Sequence, residues 1–297
     1  MTHARVLCYG EIDLDIYLKL DRLPTLNRAG NTRDEFENVG GAAANSAMWL
    51  ANWGIDTRLL GHDLGDDRAG DTVRGLLGAL EHLDTTYVAC HAGYRSPRCQ
   101  CLVTPDGERS FIMHWLDELR ITDLESQMLR GIEWLNLDMS GPPEPRLRAA
   151  RLAVERNIPV LINDIYAADH ALLPYVDVLV ISASIARGRM PGSEPLALAQ
   201  ELQETGNCHV IITDAAAPVT LLLREGEVRQ IQPPAVTAVD TTGAGDTFKA
   251  GLLYGLLKDL PLPQAARWGC AAASLMCQFP GTTRHLADLD AVAAYLP

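Results

Sequence analysis

The sequence predicts an α/β fold: a mostly parallel central sheet with helices on both faces, and a small second β-sheet beside it. Three observations carry this. Short apolar runs alternate with amphipathic stretches of helical period along most of the 297 residues, the pattern of repeated strand-helix units. Two regions, 12–39 and 94–114, break the alternation with mixed polar and apolar residues that lack a helical period. A glycine-containing string, Asp240-Thr241-Thr242-Gly243-Ala244-Gly245-Asp246, stands directly before an apolar helical stripe. Sheets of this kind gather ligands at the carboxyl ends of their strands.

Taken in order, the first buried strand is 6–9. Stretches 12–20 and 32–39 give the first half of the small sheet, and helix 42–53 follows Gly40-Gly41. Strand 58–60 and helix 69–80 make the next unit. Stretches 95–103 and 109–114 flank Thr104-Pro105-Asp106-Gly107-Glu108, which has the composition of a hairpin turn, and complete the small sheet. A sheet of this size beside a ligand cleft can act as a lid. Strands 134–137, 160–162, 178–181 and 210–213 continue the parallel sheet, with helices 146–156 and 195–204 between them. A hairpin at 219–223 and 228–231 turns through Arg224-Glu225-Gly226-Glu227. Helices 247–257, 263–277 and 286–295 close the chain. In the first of these Phe248, Leu252 and Leu256 form a stripe widened by Leu253, Leu257 and Leu260, and Pro261 stops it. No repeat, low-complexity segment or linker divides the chain, so residues 1–297 are expected to form one domain.

Bulk properties narrow the function. Apolar residues make up 47%, enough for a substantial core, and the net charge of −13 argues against a nucleic-acid partner. No run of about eighteen apolar residues predicts a membrane span. Residues 1–5 lead straight into a strand without the apolar region of a secretory leader, and the seven cysteines are odd in number and scattered. A reduced, cytoplasmic setting is the expectation. Cys99-Gln100-Cys101 reads as ordinary strand residues, too close for an ordinary disulfide and without a second ligand pair.

The glycine-containing string points to chemistry. Small residues let bare N–H groups face an anion, and a helix start adds its positive dipole end. Asp246 sits at the same spot, where a carboxylate should repel phosphate. The placement makes sense if Asp246 takes a proton from a hydroxyl that then attacks phosphorus. A plain helix cap is the simpler use of such an aspartate, but the whole string through Thr247-Phe248 is more specific than a cap requires.

This string resembles the C-terminal motif of the ribokinase-like sugar kinases, the PfkB carbohydrate kinase family. Further motifs follow in family order. Gly10-Glu11-Ile12-Asp13-Leu14-Asp15 is similar to the first strand and its turn into the substrate cleft, and Pro24 and Gly30 stand where the lid segment passes. Gly40-Gly41-Ala42-Ala43-Ala44-Asn45 resembles the family's Gly-Gly-x-x-x-Asn, and Gly65-Asp66-Asp67-Arg68-Ala69-Gly70 its Gly-x-Asp-x-x-Gly. The resemblance implies a three-layer αβα domain with a β-sheet lid. It also implies an ATP- and Mg²⁺-dependent kinase acting on a hydroxymethyl group of a sugar or sugar-like compound. Asp246 would be the base, and the N–H groups of Gly243, Ala244 and Gly245 the anion hole. Asp13, Asp15, Gly41 and Asn45 would hold sugar hydroxyls. Thr213 and Thr242, with Gly243 and Gly245, would contact the nucleotide. Relatives often pair two lids in a homodimer. Some bind a monovalent cation near Asp240, Thr242 and Pro280-Gly281-Thr282, which makes K⁺ a candidate activator.

Two departures stand out. The family's Asn-x-x-Glu, which helps organise Mg²⁺, is replaced by Ser182-Ala183-Ser184-Ile185. Its Thr-x-Gly-x-x-Gly becomes Thr213-Asp214-Ala215-Ala216-Ala217-Pro218, where Pro218 lacks a donor. The metal ligands are therefore open, with Asp164 and Asp214 as candidates. Lys249, three residues after Asp246, is expected to face solvent, with contact to nucleotide phosphates as the alternative. Arg28, Arg33, Arg95, Arg98 and Arg109 in or near the lid would suit an anionic sugar, and Phe111 and Trp115 a nucleoside. A neutral sugar is the first expectation, with a nucleoside or phosphosugar kinase, or a non-catalytic sugar or nucleotide binder, as alternatives. A nicotinamide oxidoreductase is disfavoured, because no Gly-x-Gly-x-x-Gly follows the first strand.

Overall fold

The computed structural model describes residues 4–105, 109–115, 118–189, 192 and 194–296. The first half of the chain runs β1 (Val6–Gly10), β2 (Asp13–Leu20), β3 (Thr32–Gly40), α1 (Ala42–Asn52), β4 (Thr57–Gly61), β5 (Leu64–Gly65), α2 (Arg68–Leu77), β6 (Leu83–Asp84), β7 (Cys90–His91), β8 (Arg98–Val103) and β9 (Arg109–His114). It continues with β10 (Trp134–Leu137), α3 (Pro143–Val154), β11 (Val160–Asn163), β12 (Val178–Ser182), α4 (Ala183–Arg189), α5 (Pro195–Gly206) and β13 (His209–Thr213). The hairpin β14 (Val219–Leu222) and β15 (Val228–Ile231) precedes α6 (Ala244–Leu256), α7 (Leu262–Met276) and α8 (Leu289–Ala293).

Among the described residues the main sheet has nine strands in the order β15-β14-β13-β12-β11-β10-β1-β4-β6. Pairing is parallel from β13 to β6, and β14 runs antiparallel to both of its neighbours, β13 and β15. Residue alternation along β1 explains the layers. Val6 and Cys8 enter a core with α1, α6 and α7, while Leu7 and Tyr9 enter the opposite core with α3 and α5. The second sheet runs β3-β2-β8-β9, with β2 parallel to β8 and the outer pairs antiparallel. It joins the main sheet through the short connections from β1 to β2 and from β3 to α1.

α6 is fixed by backbone-to-backbone packing on α7. A Cβ on Gly255 would fall 2.5 Å from the Ala265 Cα, and one on Gly251 would fall 2.5 Å from the Trp268 carbonyl oxygen. The two glycines therefore set how close the helices come, and with it the position of the first turn of α6.

All six expected buried strands form, as do both halves of the small sheet. The helix expected at 247–257 begins three residues earlier, because Gly243 at φ +73° turns the chain into it without a side-chain cap. The helix expected at 146–156 starts at Pro143, whose fixed φ suits a first turn. The last helix shrinks to Leu289–Ala293, capped by Asp288. α4 and the two-residue strands β5, β6 and β7 are additions too short to leave a period in the sequence. Residues 106–108 of the expected turn at 104–108, and residues 1–3, lie outside the described residues. β8 and β9 on either side of that turn pair antiparallel.

Candidate active site

The carboxyl ends of β1, β10 and β11, the starts of β2, α1 and α6, and the small sheet converge on one cleft. The first turn of α6 supplies its anion-facing wall. Gly243 is required there twice: its φ is positive, and a Cβ would lie 2.1 Å from Thr282 Cγ2. The N–H of Ala244 donates to the Thr241 carbonyl at 3.2 Å. The N–H groups of Gly243 and Gly245 have no acceptor among the described residues, as expected at a helix start. Gly245 faces open space, with nothing within 4 Å of where a Cβ would sit.

Asp246 stands at the third position of α6. Its Oδ2 accepts from Asn45 Nδ2 at 3.0 Å, and Ser46 Oγ donates to its backbone carbonyl at 3.1 Å. Burial pushes its pKa above the ordinary aspartate value, while Lys249 and the Asn45 bond pull it back. Lys249 does not face solvent. It is 1% exposed, its Nζ donates to Asn163 Oδ1 at 2.7 Å, and Asp246 Oδ1 lies 3.5 Å away. α6 is buried continuously from Thr247 to Gly255, so this position has no solvent face, and the ammonium takes polar partners instead.

Asp13, Asp15, Gly41 and Asn45, the residues expected to hold a sugar, lie near one another. Asp13 and Asp15 point toward Gly40, where a Cβ would lie 2.3 Å from Asp13 Oδ1 and 2.5 Å from Asp15 Oδ1. Gly41 has φ +94° and caps α1. Buried Asp13 Oδ1, Asn38 Nδ2 and Asn45 Oδ1 have no hydrogen-bond partner among the described residues. Such groups are costly unless a ligand satisfies them. Burial raises the Asp15 carboxyl to about 7 and holds Asp13 well above its usual range, with neighbouring acids adding to both.

Sequence reasoning gave no role to Glu11 or Asp138, and it did not pair Arg109 with Asp240. Glu11 accepts from Ser140 Oγ at 2.8 Å, and burial raises its pKa to about 7, with Asp138 adding to the shift. Asp138 accepts from the Glu11 N–H at 2.6 Å and forms a buried ion pair with Arg146 at 2.7 Å. Arg109 reaches from β9 to Asp240 Oδ1 at 3.2 Å and Thr242 Oγ1 at 2.9 Å. Asp240 also accepts the N–H groups of Thr242 and Gly281, each at 2.9 Å. Asn163 was unmarked because its role depends on Lys249 being buried.

Thr213 stands apart at the end of β13, its hydroxyl donating to the Ile181 carbonyl at 3.4 Å. With strands about 4.8 Å apart, four spacings put β13 roughly 19 Å from β1, so a nucleotide would extend along the strand ends. Of the two acids considered for Mg²⁺, Asp214 does not fit, since Arg187 takes both its oxygens at 2.6 and 3.1 Å. Asp164 fits: it lies just past β11, held by Asn163 Nδ2 and Tyr166 OH, and each oxygen keeps a free lone pair. The lid arginines do not line the sugar side. Arg28, Arg33 and Arg95 are exposed, and Arg98 alternates with Cys99 onto the other face of β8. Phe111 and Trp115 are 52% and 42% exposed.

Comparison with known proteins agrees with this fold. Residues 3–288 match the pfkB family carbohydrate kinase. A ribokinase of Arabidopsis thaliana is 26% identical over 97% of this chain and 79% of its own. An ATP-dependent ribose-1-phosphate kinase of Halopiger xanaduensis is 27% identical over 99% and 98%. The solved Arabidopsis thaliana ribokinase complexed with ribose and ATP superposes with a TM-score of 0.83 at 22% identity, covering 99% of both chains. The chain belongs to the pfkB family of carbohydrate kinases, and it is a phosphotransferase with an alcohol group as acceptor.

Proposed function

We propose that residues 1–297 act as one kinase domain that transfers the γ-phosphoryl group of ATP to a hydroxymethyl group of a neutral sugar. The observation that carries this is the Asp246 carboxylate beside two open N–H groups, fixed in place by Asn45. Asp246 takes the proton of the acceptor hydroxyl, and the freed oxygen attacks phosphorus in line with the departing ADP. The N–H groups of Gly243 and Gly245 stabilise charge on the transferring group, and Ala244 joins them if its weak turn bond opens. Thr242 and Thr213 border the nucleotide path. Mg²⁺, held through Asp164, would supply neutralising charge to the phosphates.

The sugar side favours a neutral polyol. Asp13, Asp15, Asn45 and the Gly41 backbone can accept or share hydroxyl hydrogen bonds. Glu11, Asp13, Asp15 and Asp138 crowd the same space, and a phosphosugar would meet repulsion there. The small sheet closes over the cleft as a lid through Arg109. All seven cysteines are free, in keeping with a reduced cytoplasmic setting. No helix among the described residues is long and apolar enough to cross a membrane, and the net charge of −13 disfavours nucleic acid as a partner. The lid edge β9 exposes Phe111, Ile112 and Met113. We propose that it pairs with a second copy, because an open apolar edge strand invites such pairing. K⁺ is expected to activate weakly, because the Arg109 guanidinium already places a positive charge on Asp240.

Four measurements follow. Asp246→Asn is expected to lower kcat by about 10³-fold while leaving the Kd for ATP nearly unchanged; full turnover would remove Asp246 from the mechanism. The base works only when ionised, and burial raises its pKa, so kcat/KM falls as pH drops through a value above the ordinary aspartate range. Removing the nearby ammonium with Lys249→Met raises that pKa further, so the acid limb of the pH–rate profile moves to higher pH; an unmoved limb contradicts the assignment. Rates in potassium and lithium salts should differ by less than about threefold, since ~0.6 kcal/mol separates them at that ratio; a large potassium effect would show that Arg109 does not stand in for the ion. Light scattering should give twice the 32.3 kDa chain mass, and a monomer mass would exclude lid pairing.

A further inference from the structure

The small sheet carries two thiols that the proposed phosphoryl transfer does not use. Cys99 and Cys101 project from the same face of β8, and Asp15 sits beside them on β2, in register with Cys99. The two sulfurs are 3.8 Å apart, and Cys101 Sγ lies 3.6 Å from Asp15 Oδ1. All three ligand atoms lie within 4.8 Å of one another, on residues 7%, 5% and 1% exposed in the order Asp15, Cys99, Cys101. Zinc takes sulfur at about 2.3 Å and carboxylate oxygen at about 2.0–2.2 Å in a tetrahedron. Those bond lengths set the tetrahedral edges at about 3.8 Å for S···S and about 3.5 Å for S···O. The observed separations match one edge of each kind, and the third, from Cys99 Sγ to the Asp15 carboxylate, is within 4.8 Å.

We propose that Asp15, Cys99 and Cys101 form a three-ligand site for a soft divalent cation of the Zn²⁺ class, with its fourth position left to water or another ligand. On binding, both thiol protons leave to solvent and two metal–thiolate bonds form, with no redox change. Soft sulfur ligands separate this site from the hard oxygen donors near Asp164, so Mg²⁺ does not compete for it. The ion also takes an oxygen of Asp15. If Asp15 holds the sugar as proposed above, metal and sugar exclude each other; the site itself stands on its own geometry whether or not that role holds.

The test is titration of the full chain with Cd²⁺, followed by thiolate-to-cadmium charge-transfer absorption. One ion per chain is expected, with the band bleached by added Zn²⁺ but not by Mg²⁺. The band should vanish in the Cys99→Ala/Cys101→Ala pair and persist in Cys90→Ser, which removes the one exposed cysteine. Asp15→Asn should weaken Cd²⁺ binding at least about tenfold. If the alanine pair does not fold, as judged by its thermal unfolding transition, Asp15→Asn and Cys90→Ser carry the test. Loss in the first and none in the second supports the site. No band in the wild-type chain, a band that survives in the alanine pair, or loss only in Cys90→Ser overturns it.

Discussion

Asn45 and Asp246 lie 201 residues apart in sequence and share one hydrogen bond of 3.0 Å. That bond joins the start of α1 to the start of α6. In the proposed function it ties the acceptor side of the site to the phosphoryl side. A base has to stand within hydrogen-bond reach of one hydroxyl while a turn of open N–H groups waits beside it. The close packing of α6 on α7 through Gly251 and Gly255 fixes the second requirement, and the Asn45 bond fixes the first. Ser46 adds a second tie, from the same turn of α1 to the Asp246 carbonyl.

Charge explains the rest of the cleft. Acids are numerous and buried, and three cations sit at its margins. Arg146 is spent on Asp138 inside the fold, Lys249 on Asn163 and Asp246, and Arg109 on Asp240. Each cation holds an acid in place rather than standing free for a ligand. A buried pair of this kind adds little net stability, but removing one partner leaves an uncompensated charge. In the proposed function these acids would accept hydrogen bonds from the hydroxyls of a sugar. The orphaned oxygens of Asp13 and Asn45 can accept such bonds, and the orphaned Asn38 Nδ2 can donate one.

Much of this was legible in the chain. The buried strands announced themselves as apolar runs, and the small sheet as the two stretches without helical period. The motifs around Asp15, Asn45 and Asp246 are compact strings, so their residues could be named directly. What escaped lies across topology rather than along sequence. Arg109 meets Asp240 from 131 residues away, and Asp138 meets Glu11 from 127. No local pattern encodes either meeting. Lys249 could be placed on the Asp246 face by spacing, but its burial depends on how α6 packs, which spacing does not report. The Cys-x-Cys pair read as ordinary strand residues because its third partner, Asp15, comes from another strand.

The most direct measurement is a crystal structure of the protein with an unreactive ATP analogue and the sugar that a thermal-shift screen selects. The account predicts the acceptor hydroxyl about 2.6–3.2 Å from an Asp246 carboxylate oxygen, with the terminal phosphate on the N–H groups of Gly243 and Gly245. An Asp246 turned from the sugar, or a phosphate seated away from that turn, would contradict it.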